Sequence, residues 1–121
     1  MSAETELYAV LAGSAGLAAL VGSGAAARIY PDAIPEDKPL PAVVYSVESA
    51  TPEACLDSSV AATATRFRLV GWGETRTAAK AVGDQIVIAL RAIGVPEDNR
   101  FSGFDGEVGQ YADVTEITWW G

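Results

Sequence analysis

Arg28-Ile29-Tyr30-Pro31, then Pro35, then Leu40-Pro41-Ala42-Val43-Val44-Tyr45: this stretch reads as two short extended pieces joined by a proline-stiffened loop. Pro31, Pro35, Pro39 and Pro41 each bias the residue before them away from helix. The loop between the pieces is acidic and polar, with Asp32, Glu36 and Asp37. Downstream, Val43, Tyr45 and Val47 alternate with Val44, Ser46 and Glu48, the period of a strand with one mostly buried face.

On the N-terminal side, Leu7, Val10, Leu11, Leu17, Leu20 and Val21 recur at helical spacing and give one apolar face. Helix is expected from Glu4 to about Val21, with a break at Gly13 and a second cap at Ser14. Gly22-Ser23-Gly24 ends it. Its glycines, and acids rather than cations at its start, argue against a signal peptide or a membrane span, so a cytoplasmic place of synthesis is expected.

On the C-terminal side, Ser49 to Ser59 holds Pro52, Cys55 and acids including Glu53 and Asp57, and reads as an exposed loop. From Val60 to Trp72 alternation returns. Phe67 and Leu69 fall on one face, Arg66 and Arg68 on the other. A helix opens near Thr75, with Ala79, Val82, Ile86, Leu90 and Ile93 in a stripe at three- and four-residue steps. Gly94-Val95-Pro96 is its stop. The end of the chain reads as a hairpin, one strand over 106–111 and the other over 114–120, turning at Ala112-Asp113. The expected fold is α+β: a single-layer antiparallel sheet packed by two main helices, in the order α-β-β-β-α-β-β. At 121 residues, 1–121 is expected to be one domain with one modest core.

Catalytic chemistry finds little support. There is no histidine, so a Ser-His-Asp or Cys-His site cannot be assembled within the chain. One cysteine excludes an internal disulfide and an ordinary zinc site. Cys55 lies beside Glu53 and Asp57, which would raise rather than lower its pKa. No phosphate-binding glycine loop is present. Asp105-Gly106-Glu107 and Glu97-Asp98 read as solvated turns, with a divalent-cation site as the alternative for the first. No catalytic residue, cofactor or metal is expected.

The net charge is −8, and it is uneven: residues 1–65 carry eight acids and two bases, residues 66–121 eight acids and six bases. Such a surface repels phosphate and disfavours sequence-specific nucleic-acid binding. Trp119 and Trp120 point to opposite faces of their strand. Either one of them is half exposed on an uncovered face, or it sits in a subunit interface, where tryptophan is enriched. Arg66 and Arg68 are either a solvated face or partners for a neighbouring subunit's Asp32–Asp37 loop.

The run of elements resembles the tail-completion proteins of long-tailed bacteriophages, also called tail-terminator or head–tail joining proteins. The features that carry it are the helix, Arg28-Ile29-Tyr30-Pro31, the proline loop, Leu40 to Tyr45, the Leu56-Asp57 turn, Arg66 to Val70, the helix from Thr75 and the terminal Trp119-Trp120. The resemblance implies a structural virion protein, not an enzyme. It would cap the head-proximal end of a tail tube, end tube polymerisation and join the tail to the head connector. Its implied partners are copies of itself in a ring of about six, the tail tube protein and the connector proteins, with DNA passing through an acidic lumen and no membrane involved. Assembly would occur in the bacterial host cytoplasm. Interface candidates on this reading are Asp32, Glu36, Asp37, Glu53, Asp57, Arg66, Arg68, Trp72 and Trp120. The alternatives are a head-completion or neck protein, a small cytoplasmic ligand-binding module using Asp105, Glu107 and Asp113, or an α+β assembly unit unrelated to phage.

Overall fold

The computed structural model describes residues 2–36, 38–54, 60–107 and 109–120. Ser2 caps the first helix, α1 (Ala3–Ala12), by accepting a hydrogen bond from the Thr5 N–H at 3.2 Å. Ser14 caps α2 (Ala15–Val21) in the same way through Leu17. The expected N-terminal helix is therefore two helices bent by 80° at the Gly13 break. They bury Leu7, Leu11, Leu17 and Val21 completely. No single helix among the described residues is long and apolar enough to cross a membrane.

The decisive stretch becomes β1 (Ile29–Pro31) and the start of β2 (Ala42–Ala54). Arg28 ties the pieces together. Its Nη2 donates to the Leu20 carbonyl at the end of α2 (3.0 Å) and its Nε to the Pro41 carbonyl (2.8 Å). The Leu40–Pro41 peptide is cis. β1 pairs with β2 in parallel, Ile29 against Val43 and Pro31 against Tyr45. The sheet is thus mixed at this edge rather than wholly antiparallel. The loop from Asp32 to Pro41 brings the chain back to start β2 level with β1, and that return makes the pair parallel.

β2 runs on to Ala54 and pairs antiparallel with β3 (Val60–Gly73) down to Ala54–Val60. Most of the expected 49–59 loop is therefore strand. Ser49, Ala50 and Thr51 are exposed, and a bulge between Val47 and Ser49 redirects the strand. Cys55, Leu56 and Asp57 lie outside the described residues.

Thr75 caps α3 (Arg76–Arg91) through the Ala78 N–H at 3.1 Å. The helix stops as the sequence predicts. Gly94 takes φ +81, and the Val95 N–H reaches back to the Leu90 carbonyl at 2.9 Å. The final hairpin is β4 (Asn99–Asp105) and β5 (Gln110–Trp120), so its turn lies at 106–109 rather than at Ala112-Asp113. Gly109 supplies the positive φ, and the Asp105 carboxylate accepts from the Glu107 N–H. Ala112 and Asp113 are buried inside β5 instead.

The five strands form one sheet in the order β1-β2-β3-β5-β4. Its helix-covered face carries Val43, Tyr45, Phe67, Leu69, Ile117 and Trp119, which pack against the helix residues Leu7, Leu11, Val82, Ile86 and Leu90. The helix α3 can approach this closely because of glycines. A Cβ on Gly71 would stand 2.8 Å from Val82 Cγ1, and one on Gly73 would stand 2.5 Å from the Ala79 nitrogen.

Candidate docking surface

Among the described residues, the opposite face of the sheet carries no helix. Strand alternation places Val44, Val70, Val114 and Phe101 in one cross-sheet row, and Ala42, Trp72, Ala112 and Gly103 in the next. Beside them run Ser46, Arg68, Glu116 and Asn99. Arg66 and Trp120 complete the face toward the hairpin arm. Val44 and Val114 are nearly covered by their neighbours, whereas Trp120 is 59% exposed.

A groove of about 420 Å³ lies on this face beside the chain that follows β1. Its walls include Asp32 and Ile34 from the loop after β1, Arg68, Val70 and Trp72 from β3, and Gln110 from β5. Asp32 holds φ +64, a left-handed conformation that aspartate tolerates better than most residues. Its N–H donates to the Tyr45 carbonyl at 2.9 Å, which extends the β1–β2 ladder by one bond. Burial pushes the Tyr45 hydroxyl above its ordinary pKa, with the charge of Glu4 adding to the shift.

The structure thus gathers Asp32, Arg68 and Trp72 from the expected interface set into one groove, and leaves Arg66 and Trp120 on the same face beyond it. Glu36 sits exposed in a turn of the loop. Glu53 lies on β2 opposite Ala62. Asp37 and Asp57 lie outside the described residues. Arg68 is engaged within its own chain, by Glu48 at 2.9 Å and Glu116 at 3.4 Å. Trp119 and Trp120 divide between the faces as strand geometry requires. Trp119 is buried beneath the helix layer, its indole N–H donating to Glu6 Oε2 at 3.2 Å, while Trp120 points away.

A second cluster lies beside β4 where α3 covers the sheet, and escapes sequence reasoning. Arg76 and Lys80 of α3, Arg100 and Phe101 of β4, and Tyr111 and Asp113 of β5 line a cavity of about 380 Å³. Arg100 is its hub. Nε meets Asp113 Oδ1 at 2.8 Å, and Nη2 meets Asp84 Oδ1 at 2.8 Å. The hydrogen bond that Arg100 donates to Asp113, with the one to Asp84 adding to it, raises the Arg100 pKa further. The hydrogen bond from Arg100 holds the Asp84 carboxyl below its usual range. Arg76 stands 6.0 Å over the Tyr111 ring and has no carboxylate partner among the described residues. The Lys80–Asp84 pair was visible as an i,i+4 spacing. Arg100 was not, because its partners lie 13 and 16 residues away.

These surfaces suit recognition by shape and charge. Asp113 is occupied by Arg100 and Asp105 by its own turn, so the acids expected for a ligand site do not converge. Among the described residues no three His, Cys, Asp or Glu side chains are grouped to hold a metal ion.

Comparison with known proteins finds a family model and similar solved structures. A family model described as tail completion protein gp17 matches residues 5–108, most of the chain. A chain from a solved structure, the virion of a native gene transfer agent particle, is similar with a TM-score of 0.65 and 21% identity, over 95% of this chain and 92% of that one. At that identity the likeness is one of fold. No curated protein sequence matches.

Proposed function

The chain belongs to the tail completion protein gp17 family, and on that premise we propose that it caps the head-proximal end of a tail tube, stops tube growth and offers a surface to the head connector. The observation that carries this reading is the helix-free sheet face. Trp72, Trp120, Arg66 and the Asp32 groove lie together on it, which supports docking to a neighbour. Ring formation by about six copies supplies the closed shape that a tube end requires. The net charge of −8 suits a lumen through which DNA slides without sticking. The site of action is the virion, with assembly in the host cytoplasm.

The test mixes the protein with tail tubes from the same particle made without it, and images the tubes by negative stain. Binding at one tube end, with a narrowed distribution of tube lengths, is the expected result. Decoration along the tube or no binding, combined with attachment to filled heads, would move the assignment to the head side of the joint.

A further inference from the structure

We propose that copies of this chain join head to tail by pairing the outer edge of β4 with the outer edge of β2 beyond residue 45, so that the sheet continues from one copy into the next. The inference rests on the ring reading above and names the contact that builds the ring. Three observations carry it.

The first is that the sheet is open at both ends. β4 has β5 on one side and no strand on the other among the described residues. β1 covers β2 only at Val43–Tyr45, which leaves the outer side of β2 from Ser46 onward unpaired by any described strand. Open edges of this kind are templates for another chain. Pro52 brings no N–H to a ladder, so the usable run on β2 is 46–51, close to the seven residues of β4.

The second is that apolar side chains are exposed at both edges. Phe101 and Phe104 on β4 are 44% and 56% exposed, and Val47 on β2 is 41% exposed. Neither edge carries a lysine, the usual guard against edge pairing.

The third is that the strand directions agree. β4 is antiparallel to β5, β5 to β3 and β3 to β2, so β4 and β2 run in opposite senses. Ser102 is level with Val43 within one chain, so a ring axis tilted across the strands, which shifts each copy by about six residues or about 20 Å along them, brings β4 level with Ser46 to Thr51 of its neighbour in antiparallel register, with all helix layers on the same side of the wall. A contact between two different edges is heterologous, which is what a cyclic ring requires.

The experiment is site-directed cross-linking in a Cys55→Ser background. Ser102 on β4 and Ala50 on β2 are exposed, and both face the helix side of the sheet. Within one chain three strand spacings, about 14 Å, and an offset of about six residues, about 20 Å, along the strands separate Ser102 from Ala50, too far for an internal disulfide. The Ser102→Cys/Ala50→Cys double variant is oxidised, and in parallel treated with a short bismaleimide to allow for register. Light scattering gives the mass, first free and then on tail tubes. The expected result is a covalent ladder ending at the ring mass in the double variant and in the mixture of both single variants, with no ladder from either single variant alone. Phe104→Lys and Val47→Lys, both surface changes that leave the helix-packed core intact, should each abolish the ring while leaving the thermal transition of the monomer in place. A ring that forms at full mass, gives no ladder and survives both lysine variants would overturn this contact and leave the terminator reading standing. A ladder from Ser102→Cys alone would also overturn it, since that reports a symmetric β4–β4 contact. A chain that neither oligomerises nor binds tubes would overturn both.

Discussion

Gly83 sits in the middle of α3, where alanine is ordinarily worth about 1 kcal/mol more than glycine. Here the substitution should do the reverse. A Cβ at position 83 would lie 2.5 Å from Asp113 Cγ and 3.0 Å from Arg100 Nη2. Ordinary carbon contacts are about 3.5–4.0 Å, so the carboxylate must retreat by about 1 Å. Asp113 is not free to do so: it is 7% exposed and bound to Arg100 Nε at 2.8 Å and Nη2 at 3.1 Å. Losing a charge-assisted bond costs about 1.5–3 kcal/mol, so Gly83→Ala should destabilise by a net of about 0.5–2 kcal/mol. Over 121 residues that is a fall of about 2–8 °C in Tm. The assay is thermal unfolding of four proteins: wild type, Gly83→Ala, Asp113→Ala and the double variant. With the carboxylate removed, Gly83→Ala should become stabilising by up to about 1 kcal/mol. A Tm that rises on Gly83→Ala in the wild-type background, or two effects that simply add, would refute the reasoning.

Arg28→Met removes the link from α2 to the start of β2 and strands two carbonyls, so a loss of about 1.5–3 kcal/mol is expected as a lower urea midpoint at unchanged m. A midpoint within error of wild type would mean that the loop is held elsewhere. Phe67 is fully buried at the centre of the sheet, and Phe67→Ala should cost about 3–5 kcal/mol in chemical denaturation. Asp84 and Glu97 are held below the usual carboxylate range by hydrogen bonds from Arg100 and Arg91. Groups depressed in the folded state contribute stability that is present above their unfolded pKa of about 4 and lost as pH falls through the folded value. Urea midpoints should therefore drop between pH 5 and 3, both figures being approximate, and Arg100→Gln should flatten the part due to Asp84. A midpoint independent of pH across that interval would remove these pairs as contributors.

Local physics was legible in the chain. The Ser14 and Thr75 caps, the stripe of α3 from Ala79 to Leu90, the Gly94-Val95-Pro96 stop and the alternation around Phe67 each follow from a few neighbouring residues and stand where the sequence puts them, whereas Ile93, the last residue of the expected stripe, lies beyond the helix and is 49% exposed. The α+β class, and the division of Trp119 and Trp120 between two faces, follow from the same short-range rules. Other features depend on residues far apart and were decided only by the tertiary structure. The parallel β1–β2 pair needs the return of the 32–41 loop, which no period encodes. The hairpin arm of β2 and β3 is stabilised by cross-strand pairing, so its polar sequence mimics a loop. The last turn went to Gly109, where positive φ is free of strain, because Asp113 was needed inside the sheet as the partner of Arg100. Arg68 found Glu48 and Glu116, and Asp32 came to face Trp72, only when four strands were laid side by side. Sequence patterns specify which face of each element is apolar. Which elements then lie adjacent, and which edges stay open for a neighbour, is set by how those faces are covered together.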